Sequence, residues 1–497
     1  MSIYLGIDAG TQSIKAILLD SNNGQIVSSG SAPLELISAE DGSREQHAHW
    51  WLEALHSSLA QLDPALKASI SAIGISGQQH GFVPLAADGT VLAPVKLWCD
   101  TATTAQCQQL TEAFGGVERC IEELGNPILP GYTASKILWL KQQHPELYQQ
   151  LDCILLPHDY LNYYLTGVKA MECGDASGTG LLDIRSRQWH PQMLQALDSE
   201  RDLRSCLPEL VAAGEFIGEI TSEAASALGL PAGTPVSAGG GDNMMAAIGT
   251  GNVSPGQVTV SLGTSGTLFA YSDQPVIDDQ GILAAFCDST GGWLPLLCTM
   301  NCTVATELTR DLLDIPLAEL DQRSAAVPAG ANGVITLPFF QGERSPNLPN
   351  GRGCIFGLSH NNYTADNLLR SAMEAAIYSL RSGLQRFREL GCDINHVRLT
   401  GGGAKSAVWR QMAADIFNVP VSVQNIDEGA ALGAALQACW VDQCSRGQQP
   451  SLAELTSRLI TVDDARSCTP DPEAAQRYNA LYQHYQRLVT HVTPLYQ

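Results

Sequence analysis

Positive charge is scarce in this sequence: 28 Lys and Arg residues stand against 51 Asp and Glu residues, which gives a formal net charge of −23 at pH 7. A field of this sign repels nucleic acid and anionic membrane surfaces, so we expect neither as a partner. The same field repels free nucleotides at long range. A nucleotide site in this chain would therefore depend on local backbone N–H groups and a metal ion.

Long apolar runs are absent as well. A membrane-spanning helix needs about 18 or more consecutive apolar residues, and the first apolar run is broken by Asp8, Lys15 and Asp20. We therefore expect neither a membrane span nor a signal peptide. The 14 cysteines are scattered, and none form a Cys-x-x-Cys pair. This spacing argues against a zinc site and is typical of reduced thiols in a cytoplasmic protein.

The sequence does contain two short segments that look like copies of one phosphate-binding turn. The first is Asp8–Ser13 and the second is Ser261–Gly266. Each lies between two β-branched apolar runs, which predicts a β-hairpin with a tight turn. Glycine lets the backbone approach a ligand, and successive N–H groups with hydroxyls form a concave anion site. The candidate phosphate-contacting residues are Gly10, Thr11, Gln12, Ser13, Lys15, Gly263, Thr264 and Ser265.

One such turn alone is most often structural. Two of them, one near the start of each half, suggest a duplicated α/β fold that holds a polyphosphate between its halves. The chain has 497 residues, which is enough for two cores near the usual upper size limit. We expect the domains to span residues 1–246 and 247–497.

Polar side chains follow two predicted strands, at the ends where open α/β sheets usually place ligands. The first strand covers residues 71–76 and the second covers residues 91–98. Imidazole, amide and carboxylate groups at such ends can bind sugar hydroxyls directionally. A lone histidine is otherwise more often a structural residue. The candidate substrate-binding residues are Gln79, His80, Gly81, Trp98 and Asp100.

Asp242 follows three glycines, Gly239–Gly241, at a predicted strand-to-helix junction. Glycines leave no side chain to obstruct a substrate. A carboxylate in such a position can accept a proton from a substrate hydroxyl while a phosphoryl group is transferred. The alternative is that Asp242 is the N-cap of the helix; both roles hold together if Asn243 does the capping. Asp8, beside the first turn, is a candidate metal ligand or a turn-forming residue.

A second glycine triplet, Gly401–Gly403, also joins a predicted strand to a helix. Backbone without side chains at this place would let the base or ribose of a nucleotide lie against it. Alternatively, the triplet is only a tight connection between the strand and the helix. Two helices are predicted nearby. Residues 366–390 carry an apolar stripe with Thr364 as the candidate N-cap, and residues 428–438 form a small-residue helix suited to close packing.

Together these segments resemble the FGGY family of carbohydrate kinases, within the actin-like ATPase superfamily. Residues 131–140 look like the first family signature, and residues 353–358, continuing to 371–374, look like the second. The resemblance covers essentially the whole chain. It implies an α/β fold of two actin-like (ribonuclease H-like) ATPase domains with a central cleft. The first domain would bind the sugar and the second ATP, and by analogy the protein would form a homodimer.

The resemblance also implies roles for the candidate residues. Asp242 matches the catalytic base, and Asp8 matches the essential carboxylate on the metal and phosphate side, with ATP and Mg²⁺ as cofactors. The implied sugar contacts are Gln79, His80, Asp242 and Asn243. The implied nucleotide contacts are Gly263 and Thr264 at the terminal phosphates, with Gly402, Gly403 and Ser406 on the adenosine side.

Within the family, several segments are most similar to those of members that phosphorylate D-xylulose at its 5-hydroxyl. Five positions depart from their usual pattern: Gln79 replaces Met, Cys99 replaces Asn, Thr101 replaces Gly, Ala102 replaces Arg, and His158 replaces Lys. Side chains at positions 79 and 99 lie where they could distinguish one sugar from another. D-ribulose, a polyol or a sugar acid therefore stays open as the substrate. A non-catalytic actin-like ATP switch is the third hypothesis, which the Asp242 junction and the residues around His80 oppose.

Overall fold

The computed structural model describes residues 2–426, 428–448 and 450–496. The strands are β1 (Ile3–Ala9), β2 (Ser13–Asp20), β3 (Gln25–Pro33), β4 (Ile37–Ser38), β5 (Arg44–Gln46), β6 (Ile70–Gly77), β7 (Val83–Leu85), β8 (Val95–Lys96), β9 (Cys153–Leu155), β10 (Ala170–Glu172), β11 (Leu182–Asp183), β12 (Gln188–Trp189), β13 (Glu209–Val211), β14 (Phe216–Glu219), β15 (Pro235–Ser237), β16 (Gly240–Gly241), β17 (Gly256–Leu262), β18 (Gly266–Ala270), β19 (Leu296–Thr299), β20 (Ile335–Leu337), β21 (Cys354–Phe356), β22 (Ile394–Thr400) and β23 (Val421–Ser422).

The α-helices are α1 (Ala48–Ala60), α2 (Pro64–Lys67), α3 (Thr104–Phe114), α4 (Val117–Leu124), α5 (Thr133–Gln143), α6 (Pro145–Tyr148), α7 (Pro157–Thr166), α8 (Cys173–Ala176), α9 (Pro191–Leu197), α10 (Ser222–Leu228), α11 (Asp242–Gly249), α12 (Thr303–Leu312), α13 (Leu320–Ala325), α14 (Ala365–Glu389), α15 (Ala407–Phe417), α16 (Gly429–Ser445), α17 (Leu452–Leu459) and α18 (Pro472–Val492).

The chain divides into two compact units, and neither is continuous in sequence. Unit 1 contains Met1–Ser254, Tyr271–Pro295 and Glu428–Thr461, and unit 2 contains the remaining segments from Pro255 onward. The main sheet of unit 1 has the strand order β14-β15-β6-β1-β2-β3, and β16 also pairs with β6. Every second residue of β1 (Ile3, Leu5, Ile7) and β2 (Ile14, Ala16, Leu18) is apolar and buried. Together with isoleucines of β6, these side chains form the centre of an apolar core.

The main sheet of unit 2 has the order β19-β18-β17-β22-β23. It repeats the pattern of unit 1. In each sheet an antiparallel hairpin, β1–β2 or β17–β18, pairs in parallel with a later strand, β6 or β22. The two predicted hairpins are therefore confirmed, and both phosphate-binding candidates lie in the turns of equivalent hairpins.

Helix α16 packs unusually close to the centre of unit 1, and glycines make this possible. A Cβ atom at Gly6 would lie 2.0 Å from the Ala431 carbonyl oxygen, and one at Gly74 would lie 2.0 Å from that of Ala434. A Cβ at Gly433 would lie 1.7 Å from the Met245 carbonyl oxygen on α11. The predicted close packing of this small-residue helix is confirmed, and the helix extends beyond the predicted end, to Ser445.

Two further predictions have clear outcomes. Thr364 is the N-cap of α14, because its side chain accepts a hydrogen bond from the backbone N–H of Asn367. The strand predicted over residues 91–98 is wrong in extent, since only Val95–Lys96 is a strand. Pro94 supplies no backbone donor and interrupts the ladder. All 14 cysteines are free thiols. In the part of the chain that the structure describes, no helix has the length and apolarity needed to cross a bilayer.

Candidate active site

Asp242 is the first residue of α11, directly after the glycine triplet. The N-cap is Gly241, and no side chain caps this helix end. Both capping alternatives, through Asp242 or through Asn243, are therefore wrong. The Asp242 carboxylate instead accepts hydrogen bonds at Oδ1 from the Asn243 backbone N–H (2.8 Å) and from Asn243 Nδ2 (3.0 Å). Its orientation is thus fixed by its own neighbour.

The glycine triplet is required because the space around it is full. Gly239 has φ of 73°, in the left-handed region that favours glycine. A Cβ at Gly239 would lie 2.3 Å from the Ile75 carbonyl oxygen, and one at Gly241 would lie 2.7 Å from Cγ of Gln79. The glycines therefore bring the Gln79 side chain up to the start of α11.

Gln437 on α16 holds the same turn from the other side. Its Oε1 accepts hydrogen bonds from the Gly239 backbone N–H (2.9 Å) and the Ser237 hydroxyl (3.0 Å), and its Nε2 donates to the Gly239 carbonyl oxygen (3.0 Å). The Gln437 side chain is completely buried. One amide thus satisfies both backbone groups of the left-handed glycine.

Gln79 and His80, predicted to contact substrate, lie beside Asn243. Asn243 Nδ2 donates a hydrogen bond to Gln79 Oε1 (2.9 Å), and Gln79 is 4% exposed. The His80 ring centroid lies 4.9 Å from that of Tyr132 and 5.7 Å from that of Phe286. The structure therefore brings residues 79, 80, 242 and 243 together within unit 1.

The polar groups of Trp98 and Asp100 form hydrogen bonds within the protein, one at Trp98 and two at Asp100 Oδ2. Trp98 Nε1 donates to the Thr11 hydroxyl (3.0 Å), which joins its loop to the first phosphate-binding candidate. Asp100 is completely buried, and its Oδ2 accepts from Lys96 Nζ (3.1 Å) and from the Arg44 backbone N–H (2.9 Å). These contacts give Asp100 a role in ordering its loop, and its predicted contact with substrate stays a prediction.

The turn between β1 and β2 is closed by a hydrogen bond from the Gly10 backbone N–H to the Ser13 carbonyl oxygen (3.1 Å). Lys15, on the strand that follows, forms an ion pair with Glu428 (2.9 Å). Both side chains are partly exposed, so the pair itself contributes little stability. Gln12 is exposed, and Thr11 is partly exposed.

In unit 2, the turn between β17 and β18 lies against the start of α12. The carbonyl oxygens of Gly263 and Thr264 accept hydrogen bonds from the backbone N–H groups of Thr303 and Cys302, each at 3.0 Å. Because β17 and β22 are parallel neighbours, the Gly401–Gly403 segment follows at the same end of the sheet. Gly401 has φ of 84° and passes within contact of Leu262.

Gly402 has open space where a Cβ would lie, so its backbone is accessible. Ser406, also predicted to contact the nucleotide, is the N-cap of α15 and accepts from the Trp409 backbone N–H. Its hydroxyl donates to the Asp321 carboxylate. The hydroxyl of Ser406 is thus engaged within the protein, and its predicted nucleotide contact stays untested.

Comparison with known proteins decides the family. The N-terminal domain model of the FGGY family of carbohydrate kinases matches residues 3–249, and the C-terminal domain model matches residues 258–441. The chain belongs to the FGGY family. It is 44% identical to the xylulose kinase of Haemophilus influenzae, covering 99% of this chain and all of that protein. It is 34% identical to the xylulose kinase of Bacillus subtilis, covering 100% of this chain and 98% of that one.

Solved structures agree with this family membership. The crystal structure of a xyloylose kinase from Brucella ovis matches with a TM-score of 0.91 at 29% identity, over 99% of this chain and 100% of that one. The predicted two-domain FGGY kinase fold is confirmed, and the protein is a carbohydrate kinase with ATP as its phosphate donor.

Two buried carboxyl groups of this FGGY kinase, those of Asp8 and Asp242, have raised pKa values. Burial raises the pKa of Asp8 to about 6, although Ser76 Oγ donates a hydrogen bond to its Oδ1 (2.8 Å). Burial, together with the carboxylates of Asp8 and Asp175, raises the pKa of Asp242 to about 7. No group of three or more His, Cys, Asp or Glu side chains suited to a metal occurs among the described residues. Mg²⁺ commonly needs only one or two carboxylates, with water and phosphates as its other ligands.

Asp175 is not among the residues predicted from the sequence, and His158 is noted there only as a departure from the family pattern. His158 Nδ1 lies 2.7 Å from Asp175 Oδ2, and both side chains are completely buried. Burial acts to lower the pKa of His158, but Asp159 and Asp175 outweigh it and raise the pKa to about 9. Burial raises the pKa of Asp175, although hydrogen bonds from His158, the His80 backbone N–H and the Gln79 side chain oppose this shift. Asp175 therefore contacts both candidate sugar-binding residues, Gln79 and His80, from within the protein. No local pattern around Asp175 marks it.

Proposed function

We propose that this FGGY kinase transfers the terminal phosphoryl group of ATP to the 5-hydroxyl of D-xylulose, with Asp242 as general base. The xylulose kinases that it resembles over its full length support the substrate. The position of Asp242 carries the mechanism, because its carboxylate has a raised pKa and is aimed by Asn243 at the start of a helix. A carboxylate in this state can accept the hydroxyl proton as the phosphoryl group leaves ATP.

The neighbouring groups would orient the sugar. Both N–H bonds of Asn243 Nδ2 point to Asp242 and Gln79, which leaves its Oδ1 to accept a bond from a sugar hydroxyl. His80 would add a directional contact through its imidazole. Asp8 would hold Mg²⁺, which when bound supplies positive charge to the terminal phosphates. Exclusion of water from the terminal phosphate would prevent water from replacing the sugar hydroxyl as nucleophile, and so would prevent hydrolysis of ATP.

On the nucleotide side, we assign the turn Gly263–Ser265 to the terminal phosphates and Gly402–Gly403 to the adenosine. Accessible backbone at Gly402 supports this assignment. We further propose that residues 1–246 carry the sugar-binding site and that the ATP-binding site lies beyond residue 246, although segments 271–295 and 428–461 pack with unit 1. By analogy with the family, the protein would act as a cytoplasmic homodimer; free thiols throughout fit a reducing compartment.

The test is ADP release by the purified protein with MgATP and a panel of pentuloses, polyols and aldonic acids, including a control without sugar. We expect D-xylulose to stimulate turnover most strongly. Stronger stimulation by D-ribulose, a polyol or an aldonic acid would keep the kinase mechanism and refute the assigned substrate. ATP turnover that no sugar stimulates would refute the proposal and favour an ATP switch.

The pH dependence of kcat/KM for the sugar should reveal the pKa of the general base, Asp242. A general base acts in its deprotonated form, so activity requires a pH above the pKa of Asp242, which is about 7. Below that value we expect kcat/KM to fall about tenfold per pH unit. Initial rates between about pH 5.5 and 8.5 with saturating MgATP would measure this limb. A flat profile over that range would contradict the assignment of Asp242 as a base with raised pKa.

A further inference from the structure

Lys136 is a buried lysine in unit 1 to which the proposed reaction assigns no role. It lies on α5, within the segment that resembles the first family signature, and its side chain is completely buried. Its Nζ donates hydrogen bonds to the carbonyl oxygens of His80 and Gly131, each at 2.8 Å. It forms no ion pair with any of the described residues. Burial lowers its pKa to about 7, although Asp100 opposes this.

A buried lysine without a carboxylate partner costs folding free energy, so its two hydrogen bonds to backbone carbonyl oxygens call for a functional explanation. His80 supplies one. Its backbone has φ of 64°, in the left-handed region that a residue with a Cβ adopts only at a cost. The hydroxyl of Thr133, three residues before Lys136, donates to the same carbonyl oxygen (3.2 Å). Two donors from one helix therefore fix the orientation of this strained peptide.

The ring of His80 is confined as closely as its backbone. It packs against Tyr132 and Phe286, and a Cβ at Gly178 would lie 2.1 Å from His80 Cε1. A change in the backbone angles of His80 would therefore shift the ring relative to Tyr132, Phe286 and Gly178. The position of the imidazole thus depends on the backbone angle that Lys136 and Thr133 hold.

We propose that Lys136 is a positioning residue for the sugar: the hydrogen bond from its buried Nζ holds the peptide of His80 in the left-handed conformation that presents the imidazole to the substrate. This inference rests on the proposed function, because it takes His80 as a sugar contact. It predicts that Lys136 affects sugar binding and leaves ATP binding and the chemical step alone.

The first experiment compares Lys136→Met with wild type. Methionine keeps the length of the side chain and removes the donors. We expect KM for D-xylulose to rise about tenfold, with kcat and KM for ATP changed by less than about twofold. Lys141→Met is the matched control, because Lys141 lies on the same helix and pairs with Asp198 (2.9 Å), away from His80. This control should leave both KM values unchanged.

A double-mutant cycle with His80→Ala separates positioning from general support of the fold. If Lys136 acts through His80, Lys136→Met should change KM for D-xylulose by less than about twofold in the His80→Ala background. A rise by the same factor in both backgrounds, or no rise in folded Lys136→Met, would overturn the inference. If Lys136→Met does not fold, Thr133→Val decides by the same cycle, with an expected rise of about threefold.

Failure of the proposed function would be visible before any variant is made. Wild type would then show no stimulation by D-xylulose, or stimulation by a different sugar, and in the second case the cycle is run with that sugar. Failure of the present inference shows only in the comparison of backgrounds, with wild-type activity intact.

Discussion

Asp242→Asn should lower kcat for sugar phosphorylation by about 10²- to 10⁴-fold, the usual contribution of a positioned general base. The amide has almost the shape of the carboxylate but cannot accept the proton of the substrate hydroxyl. Its position at the start of α11 requires no capping role from its side chain, because Gly241 is the N-cap. The fold should therefore tolerate the change, and the loss should appear in kcat with little change in KM for ATP.

The measurement is steady-state ADP release with D-xylulose for wild type, Asp242→Asn and a control variant. Asp152→Asn serves as the control, since it removes only an exposed ion pair with Lys169 (3.0 Å). Circular dichroism confirms that each variant is folded. Near-normal turnover in folded Asp242→Asn would show that another group takes the proton. The residual activity of the variant should also lack the acidic limb that Asp242 gives to the wild-type pH profile.

The parts of the site that can be predicted from the sequence are those determined by residues close to them in the chain. The hairpins around residues 8–13 and 261–266 follow from β-branched runs broken by glycine, and Thr364 follows from its place just before an apolar stripe. Asp242 stands out because three glycines precede it. In each case the signal lies within a few residues of the feature, so pattern and propensity suffice.

The parts that the sequence cannot predict depend on contacts between distant segments. Gln437 lies 198 residues from Gly239, whose backbone it holds. Asp175 gains its place only when α8 brings it to His158. Two departures from the family pattern, at positions 79 and 158, both contact this one acid. Burial raises the pKa of Asp175, and the hydrogen bonds from Gln79 and His158 oppose that shift. In the sequence the two departures look unrelated, whereas in the structure Gln79 and His158 both form hydrogen bonds with Asp175.

Contacts that form only in the fold also explain why the predicted sugar contact of Asp100 needs a direct test. The sequence shows a carboxylate after a predicted strand, but not that Lys96 and the Arg44 backbone N–H already bind its oxygen. Polar residues at strand ends are thus divided by the fold into those that support the loops and those that face a ligand. Only the hydrogen-bond partners of each side chain reveal which role it has.

The glycine contact between α11 and α16 leads to the second large expected effect. A Cβ at Gly433 would lie 1.7 Å from the Met245 carbonyl oxygen, far inside van der Waals contact, and a backbone atom cannot rotate away. Gly433→Ala must therefore push the two helices apart, which should destabilise unit 1 by about 3 kcal/mol or more. Because α11 begins with Asp242, the same displacement should lower kcat in the molecules that remain folded.

Gly429→Ala, one turn earlier on α16, separates this steric effect from the ordinary consequences of adding a methyl group. Its Cβ would lie 3.9 Å from Thr250 Cγ2 and 4.0 Å from the Ala246 Cβ, which is normal contact. Gly429 is the first residue of α16, so alanine gains less here than the ~1 kcal/mol over glycine of a helix interior, and this control should unfold close to the wild-type temperature. Thermal unfolding followed by circular dichroism should place Gly433→Ala about 5 °C or more below wild type. Equal midpoints for the two variants would mean that α11 and α16 can separate at little cost, and that their contact does not fix Asp242.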